Sequence, residues 1–380
     1  MEKEVKLKIV HVVIDQKFID GAISLFGEDE RIENTFIIIG KERDFSYIQS
    51  KSIVTVCENK VIDYINQFDV VILHSLPSIP INKIQYIKKG IKVVWFAWGY
   101  DLYEKPYNII PVNLYGAETK KYLYQKRCRN LISINGIRAN LYVKVHLKSA
   151  LRRIDYFSGV FPYEIDLVKE KHPEFKAEPL DFYYGAKDFF IPEEPNKEIS
   201  HVKSNIVIGN SANVTGNHLD VLEMMKAVSI DKKAKIIIPL SYGGTPQYIN
   251  MLKEKAEKLA PGQIETLNNY LPLEEYLTLI SSCRTAIFAH ERQQATDNIF
   301  MQLLYGARVY MSESSSAFSY LRSIGINVYS LQKDLDLFNM EMSDKDVMNN
   351  RKVLSALYSP SKLIERVAHI ITILIKSNKS

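Results

Sequence analysis

Three turns rich in glycine and amide side chains follow strand-like segments in the second half of the sequence. They span residues 209–218, 240–246 and 289–298, and the third contains Arg292 beside two glutamines. Small residues let the backbone approach a ligand closely, and a helix that begins at such a turn offers free N–H groups to an anion. An arginine there suits a diphosphate, because its planar fork gives paired hydrogen bonds. Each turn alone could be ordinary turn chemistry, but three such turns in one domain predict a nucleotide-type site.

An aromatic segment in the first half has residue types that could bind a sugar. Residues 95–103 close a strand-like run and contain both tryptophans of the chain, and Asp101 lies just past the strand. Aromatic rings stack on sugar rings, and a neighbouring carboxylate can accept a hydrogen bond from a sugar hydroxyl group. The same spacing fits a buried aromatic cluster in which Asp101 caps a helix. The residues alone leave both interpretations open.

The charge of the chain is concentrated in one segment. Of the 380 residues, 46% are hydrophobic and 24% are charged, which is typical of a globular protein, and the net charge is only +5. Between Gly116 and Arg153, however, there are ten basic residues and one acid, so this basic block carries +9 and the rest of the chain −4. Such a block indicates an anionic partner: nucleic acid, a phosphorylated ligand or a lipid surface. The alternative is a solvated face on two surface helices.

Within the basic block, apolar residues recur at helical spacing. Ile134, Ile137, Leu141, Val145 and Leu151 form this pattern, with basic residues on the other faces. A basic amphipathic helix is compatible with a membrane surface, and packing of the apolar stripe against a sheet explains the pattern equally well. No apolar run approaches the roughly 20 residues that a membrane-spanning helix needs. The three cysteines are far apart, which favours a reducing cytosol over a disulfide framework.

The elements that must position these residues alternate between strands and helices. Strand-like runs occupy residues 7–14, 35–39, 52–56, 70–73, 92–97, 205–208, 235–239, 263–267, 285–289, 308–311 and 327–329. The alternation predicts doubly wound α/β domains, in which ligands bind beyond the carboxyl ends of the strands. We expect an N-terminal domain over 1–190, a linker over 191–204, a second domain over 205–358 and a C-terminal helix over 359–380 that packs back towards the first domain.

Several motifs of other enzyme classes are missing from the sequence. There is no G-x-G-x-x-G after a strand, no G-K-[ST] and no H-E-x-x-H, and the eight histidines do not cluster in ligand pairs. The Asp-x-Asp at residues 334–336 lies in a polar stretch typical of a surface loop. The sequence therefore disfavours a dinucleotide dehydrogenase, a P-loop enzyme and a metalloenzyme, and we expect no metal and no cofactor.

The motifs together resemble a known family, the TDP-N-acetylfucosamine:lipid II N-acetylfucosaminyltransferases of glycosyltransferase family 56, which build enterobacterial common antigen. The similar stretches are Ile208-Gly209-Asn210-Ser211 with Asn217-His218, residues 239–243, Arg292-Gln293-Gln294 with Asn298-Ile299, the early Trp98-Gly99-x-Asp101-Leu102-Tyr103, and the strand that contains His11. The similarity covers most of the chain and is best from about residue 205 to 330.

The resemblance implies a GT-B fold, with two Rossmann-like domains facing across a cleft. The second domain would hold the TDP-sugar, and the first would face an undecaprenyl-diphosphate-linked acceptor. Donor-binding residues carried over by position are Asn210, Ser211, Asn217, His218, Tyr242, Arg292, Gln293, Gln294 and Asn298. Acceptor-binding residues would be Trp98 and Tyr103. Asp101 is the first choice for the general base, with His11 and Glu291 behind it. Asp297 stands where the family pattern has glycine, which leaves the exact donor sugar open.

The resemblance also gives the basic block a role. A lipid-diphosphate acceptor sits in an anionic leaflet, and each basic residue near that surface contributes about 1 kcal/mol of attraction. We therefore expect a peripheral protein on the cytoplasmic face of the bacterial inner membrane. Its membrane-facing residues would be Lys120, Lys121, Arg127, Arg138, Lys144, Lys148 and Arg152.

Other functions are compatible with parts of the sequence. A nucleotide-sugar epimerase can share the two-domain architecture, but it needs no basic acceptor-side surface. A non-enzymatic polyanion- or lipid-binding module would not need the Arg292-Gln293-Gln294 cluster. Nucleic acid is not an expected partner, because the basic block contains no recognisable RNA- or DNA-binding motif.

Overall fold

The computed structural model describes residues 6–41, 44–127, 134–185, 191–195, 198 and 203–379. The chain divides into two compact units. The first unit contains residues 1–111, 133–190 and 358–380, and the second contains 112–132 and 191–357. Part of the expected linker, at 196–197 and 199–202, lies outside the described residues.

A parallel sheet forms the centre of the first unit. Its strands are β1 (Leu7–Val13), β2 (Ile32–Ile39), β3 (Val54–Val56), β4 (Val70–His74), β5 (Lys92–Phe96), β6 (Tyr156–Ser158) and β7 (Glu178–Pro179). Over the described ranges they pair in the order β3-β2-β1-β4-β5-β6-β7. The central strands β1 and β4 are buried almost throughout, because helices and loops cover both faces of the sheet. This burial explains why they consist mostly of apolar residues, with Lys8, His11 and His74 as exceptions, and do not alternate.

The helices of the first unit include the long basic helix and the C-terminal helix. They are α1 (Ile19–Gly27), α2 (Val61–Ile65), α3 (Gly99–Tyr103), α5 (Ile134–Arg153), α6 (Glu164–Lys171) and α13 (Pro360–Asn378). In α13, proline at the first helical position is well tolerated, since the N–H that it lacks would have no intrahelical partner. The buried stripe of α13 consists of Leu363, Val367, Ile370, Ile371 and Leu374. Most of this stripe packs into the core that contains Ile9 and Phe26. Full burial of such a side chain stabilises the fold by about 1.5–3 kcal/mol.

The second unit repeats the same topology. Its strands are β8 (Asn205–Ile208), β9 (Ile236–Pro239), β10 (Ile264–Leu267), β11 (Cys283–Phe288), β12 (Arg308–Met311) and β13 (Tyr329–Ser330). They form a parallel sheet with the order β10-β9-β8-β11-β12-β13. Its helices are α4 (Ala117–Arg127), α7 (His218–Met224), α8 (Pro246–Leu259), α9 (Leu273–Ser281), α10 (Thr296–Leu304), α11 (Ser316–Ser323) and α12 (Asp344–Tyr358). Since β8 and β11 are neighbours, the turns that follow them meet at one edge of the sheet.

Helix α4 belongs to a different unit from the one expected from the sequence. That expectation kept all of 1–190 in one domain, whereas residues 112–132 belong to the second unit. The reason is a helix cap: Asp220 of α7 accepts hydrogen bonds from the backbone N–H groups of Glu118 and Thr119 and from the Thr119 hydroxyl. A carboxylate at a helix N-terminus satisfies the free N–H groups and the helix dipole. The basic block is consequently divided, with α4 in the second unit and α5 in the first.

Within the described part of the chain, no helix is both long enough and apolar enough to cross a membrane.

Candidate functional site

The three turns singled out in the sequence meet at the carboxyl edge of the second unit's sheet. The Thr215 hydroxyl donates to Gln294 Oε1 at 2.9 Å, which joins the turn after β8 to the turn after β11. Asn210 Nδ2 donates to the Tyr242 hydroxyl at 2.8 Å, which joins the turn after β8 to the turn after β9. Because β8 lies between β9 and β11, these contacts assemble all three turns around one strand end. This is where an open α/β sheet binds its ligand.

His218 is enclosed by two glycines of the first turn. A Cβ on Gly209, whose φ is +67°, would lie 2.6 Å from His218 Nε2, and a Cβ on Gly216 would lie 2.6 Å from its Cε1. His218 Nδ1 lies 3.3 Å from the Tyr248 hydroxyl, and Nε2 is buried with no hydrogen-bond partner among the described residues. Burial lowers the pKa of His218 to about 4, so the ring is neutral at physiological pH. Both glycines are therefore needed for the close approach of this imidazole.

Asn217 holds segments of the chain together and does not point its amide at a ligand. Its Nδ2 donates to the backbone oxygens of Leu114 (3.2 Å) and Ala289 (2.8 Å), and its Oδ1 accepts from the Gly116 N–H at 3.1 Å. Asn217 also adopts the left-handed conformation, with φ at 52°, which asparagine tolerates better than most residues. The prediction that it binds the donor directly is not supported, because these contacts already use both ends of the amide.

The turn after β11 carries the arginine and the two glutamines. Arg292 and Gln293 are buried, and Arg292 Nη1 donates to the Gln293 backbone oxygen at 2.6 Å. The turn ends at Ala295, which is left-handed with φ at 60°, and α10 begins at the next residue. Asn298, in the first turn of α10, accepts a hydrogen bond from the Tyr276 hydroxyl at 2.6 Å. The positive guanidinium and the N-terminus of α10 thus follow the same strand, as an anion site requires.

Two further predicted residues lie beside these turns. Ser211 is buried in the first turn, and its hydroxyl accepts from the Asn213 N–H at 3.3 Å. Glu291 accepts hydrogen bonds from the hydroxyls of Ser312 and Ser314, which follow β12. The Glu291 carboxylate is therefore tied to the loop after β12.

His290 is a member of this edge that the sequence did not single out. It is 3% exposed, and neither ring nitrogen has a hydrogen-bond partner within the described part of the chain. Burial, followed by the nearby Arg292 and His218, lowers the pKa of His290 well below its usual value. A lone histidine after an apolar run is commonly a core residue, and the signal that could have identified it is its position between a strand end and Arg292.

In the first unit, Asp101 is a fully buried carboxyl group. Its Oδ2 accepts from the Leu76 N–H at 2.9 Å and from Trp95 Nε1 at 3.1 Å, and its Oδ1 has no hydrogen-bond partner among the described residues. Burial raises the pKa of Asp101 to about 7, and these hydrogen bonds offset the rise only in part. A carboxyl group that titrates near neutrality has the pKa that a general base needs.

The aromatic residues around Asp101 belong mainly to the core. Trp95 is fully buried against Phe157 and Phe175. Tyr103, predicted to bind the acceptor, is 1% exposed and donates its hydroxyl proton to Glu164 Oε1 at 2.7 Å. Trp98 is 9% exposed and packs edge-to-face on Tyr184. The core interpretation therefore describes Trp95 and Tyr103, and the expectation that Tyr103 contacts the acceptor is not supported.

His11 is also a core residue, which removes it as a candidate base. Its Nδ1 lies 2.9 Å from His74 Nε2, its Nε2 lies 3.0 Å from Asn34 Oδ1, and its ring stacks on Phe36 at 4.1 Å. Burial lowers the pKa of His11 to about 3. Both ring nitrogens are already within hydrogen-bond distance of a neighbouring side chain, so His11 has no nitrogen left to accept a proton from a substrate.

The predicted membrane-facing residues lie on α4 and α5. Lys120 and Lys121 on α4, and Arg138, Lys144, Lys148 and Arg152 on α5, are exposed, whereas the side chain of Arg127 lies outside the described residues. Leu151 is buried, as packing against the sheet requires, but Ile137, Leu141 and Val145 are 55%, 62% and 64% exposed. The sequence left two explanations for this apolar stripe, and the three exposed residues are inconsistent with packing against the sheet.

Within the described ranges, no group of three or more histidine, cysteine, aspartate or glutamate side chains is placed to hold a metal ion.

Comparisons with known proteins agree with this architecture. The family model described as 4-alpha-L-fucosyltransferase, glycosyl transferase group 56, matches residues 139–367, which is more than half of the chain. Similar solved structures include Anabaena Alr3699/HepE in complex with UDP and glucose, with 10% identity, a TM-score of 0.64 and coverage of 97% of this chain and 100% of that one. A glycosyltransferase from Rickettsia africae has 15% identity, a TM-score of 0.64 and coverage of 98% and 99%. The lipopolysaccharide outer core galactosyltransferase WaaB has 8% identity, a TM-score of 0.61 and coverage of 97% and 99%. These likenesses show the fold, which is the GT-B fold of glycosyltransferases.

Proposed function

Because the chain belongs to glycosyltransferase group 56, the 4-alpha-L-fucosyltransferase family, and is a nucleotide-sugar-dependent glycosyltransferase, we propose that it transfers an N-acetylfucosamine-like amino-deoxy sugar. The proposed donor is a TDP-sugar. The proposed acceptor is an undecaprenyl-diphosphate-linked oligosaccharide of bacterial surface polysaccharide synthesis. The observation that carries the proposal is the assembly of the three turns, with Arg292, at the carboxyl edge of the second unit's sheet.

On the donor side, Arg292 and the N-terminus of α10 bind the diphosphate. As the bond between the anomeric carbon and the diphosphate oxygen breaks, negative charge develops on the leaving group, and a guanidinium and free N–H groups stabilise that charge. The neutral rings of His218 and His290, with Asn210, provide uncharged hydrogen-bonding atoms for hydroxyl or amide groups. Metal-independent catalysis is part of the proposal, since Arg292 supplies the positive charge.

On the acceptor side, Asp101 acts as the general base. The acceptor hydroxyl oxygen forms the new bond to the anomeric carbon, and the Asp101 carboxylate takes its proton. Two features support Asp101 over Glu291: its pKa is raised to about 7, and its Oδ1 has no hydrogen-bond partner among the described residues. The Glu291 carboxylate is already engaged with two serine hydroxyls.

The proposed location is the cytoplasmic face of the bacterial inner membrane, with peripheral attachment. The exposed basic residues of α4 and α5 support it, because each contributes about 1 kcal/mol of attraction to an anionic leaflet. In sedimentation with vesicles, we expect stronger binding to anionic than to neutral vesicles. Lys144→Glu combined with Lys148→Glu should weaken that preference, and equal binding to both vesicle types would contradict the proposed location.

The donor proposal is tested by thermal unfolding with TDP, UDP and GDP. A nucleotide at 100 times its dissociation constant stabilises the unit that binds it by roughly 2.7 kcal/mol. At about 2–4 °C per kcal/mol for a unit of this size, the unfolding transition of the second unit should rise by roughly 5–10 °C. Arg292→Lys should reduce the rise, because lysine cannot make the paired hydrogen bonds, whereas Arg322→Lys on the exposed surface of α11 serves as the control.

The unfolding assay with the three nucleotides has three distinguishable outcomes. Selective stabilisation by TDP supports the proposed donor. Selective stabilisation by UDP or GDP retains the transferase but contradicts the TDP-sugar. No stabilisation by any of the three nucleotides contradicts the donor site at this edge.

A further inference from the structure

A cavity of about 400 Å³ lies in the first unit at the carboxyl ends of β1 and β2, with α5 as one wall. This volume is within the range of roughly 300–1,000 Å³ typical of small-molecule sites. Its walls are mostly aliphatic residues and prolines, among them Ile14, Ile39, Ile79 and Pro80. No described lining residue is a lysine, arginine or histidine, and the one charged residue, Glu58, is acidic. The aliphatic side chains suit an apolar group, and a diphosphate would meet no positively charged side chain among the described lining residues.

The cavity opens beside the outer surface of α5. Val143 of α5 lines the cavity and is buried, whereas Ala139 and Tyr142 line it and are exposed. The cavity is therefore not a sealed void in the core, and a chain-like ligand can reach it along the helix.

The outer surface of the same helix is suited to a lipid bilayer. Ile137, Leu141 and Val145 follow one another at intervals of four residues and form an exposed apolar stripe. The exposed basic residues around it are Arg138, Lys144, Lys148 and Arg152. The sequence of α5 contains no aspartate or glutamate. An apolar stripe flanked by basic residues is typical of a helix that lies in the plane of an anionic membrane interface.

We propose that this cavity binds the polyprenyl chain of the lipid-linked acceptor where that chain leaves the bilayer beside α5. The inference rests on the proposed function and names a subsite for its acceptor. The first isoprene units occupy the apolar cavity, and Ile137, Leu141 and Val145 insert among the neighbouring acyl chains. The diphosphate remains outside the cavity, on the side of the helix that carries the basic residues. Charge complementarity with an anionic leaflet favours this occupant, as does Tyr142, which lines the cavity, is exposed, and lies three residues before Val145 of the stripe.

The subsite is tested by calorimetric binding of farnesyl diphosphate, dimethylallyl diphosphate and inorganic pyrophosphate to the full chain without vesicles. Each buried methylene adds about fourfold to an affinity, so ten additional carbons should give farnesyl diphosphate at least a tenfold advantage over dimethylallyl diphosphate. Ala139→Trp, which fills the cavity from an exposed position, should weaken farnesyl diphosphate binding at least tenfold. Asn135→Trp, exposed one turn earlier on α5 and not in the lining, is the matched control and should bind like the wild type.

Two results would overturn the proposal: equal affinity for farnesyl diphosphate and pyrophosphate, or unchanged farnesyl diphosphate affinity in Ala139→Trp. Thermal stabilisation by TDP is measured on the same variants, because that response belongs to the second unit. Loss of the TDP response in the wild type would contradict the proposed donor and leave the polyprenyl subsite standing. A normal TDP response with no dependence on chain length would contradict the subsite and leave the donor standing. Folding of the first unit in Ala139→Trp is checked by its own calorimetric unfolding transition, which should match that of Asn135→Trp.

Discussion

His290 leads to a prediction in which stability and ligand binding change in opposite directions. Its ring is buried at the carboxyl end of β11, and neither nitrogen has a hydrogen-bond partner within the described ranges. Such atoms reduce the stability of the ligand-free protein, because they lose hydrogen bonds to water on folding and gain none. A ligand that supplies those hydrogen bonds would recover the loss. We therefore predict that His290→Phe stabilises the ligand-free second unit and weakens its response to a nucleotide-sugar.

The magnitude follows from the two nitrogens. A neutral imidazole has one donor and one acceptor, and an unsatisfied buried group costs about 1–3 kcal/mol. Phenylalanine removes both polar atoms, but its larger ring has to be accommodated at a cost that can reach about 1–3 kcal/mol. The expected net stabilisation is therefore about 1–3 kcal/mol. For a unit of this size, at about 2–4 °C per kcal/mol, that corresponds to a rise in Tm of roughly 2–12 °C.

The assay is calorimetric unfolding with and without TDP-sugar, and His11→Phe is the matched control. His11 is equally buried, but both of its nitrogens are hydrogen-bonded, to His74 and Asn34. The same substitution there leaves two partners unsatisfied and should lower the Tm of the first unit. If His290→Phe destabilised the second unit as much as His11→Phe destabilises the first, the reasoning about unsatisfied nitrogens would be refuted. An unchanged ligand response in a stabilised His290→Phe would refute the ligand-binding part alone.

Three further predictions concern other groups. Asp101→Asn should lower kcat/KM by about 10²–10⁴. The rate of the wild type should rise with pH through about 7, whereas the residual rate of the variant should not. Initial rates of both proteins from pH 5.5 to 8.5 measure this difference. Asn217→Ala should destabilise the second unit by about 2–4 kcal/mol, because three hydrogen bonds and a left-handed asparagine are lost. A denaturant midpoint equal to that of the wild type would contradict the positioning role of Asn217. The pKa of His218 is lowered to about 4 in the folded protein, so its contribution to stability is present above pH 6.5 and is lost as the pH falls towards 4. His218→Gln should flatten that part of the pH–stability curve of the second unit, and an unchanged slope would contradict the assignment.

The sequence was sufficient for the family and the fold, and both predictions are confirmed. The central strands β1, β4, β8 and β11 are buried along most of their length, so each consists mostly of apolar residues, a pattern that is visible without a structure. The sequence had left an epimerase and a non-enzymatic module as alternative functions, and membership of a glycosyltransferase family favours the transferase over both.

The roles of individual polar residues were harder to predict, because burial depends on distant contacts. His11 was a candidate base because its strand resembles the family, but Asn34 and His74 enclose it. Asn217 lies in a ligand-type turn, but its amide is used by Leu114 and Gly116, about a hundred residues earlier in the chain. No local pattern reports such partners. The predicted donor and acceptor roles of the other site residues stay predictions.

The apolar stripe of α5 shows the same limitation. Periodicity identifies one face of a helix, but it does not say whether protein or lipid covers that face. Leu151 and Val145 belong to the same pattern, yet the first is buried and the second is 64% exposed.

The placement of α4 and α13 has a consequence for engineering this family. Since residues 112–132 belong to the second unit and 358–380 to the first, the chain passes between the units four times. A single cut in the 191–204 segment would separate Asp220 from the helix that it caps and α13 from the core that buries it. Neither fragment would contain a complete unit, so we expect neither half to be obtained as a stable recombinant domain. A chimera intended to exchange donor specificity between relatives would have to carry residues 112–132 together with 191–357.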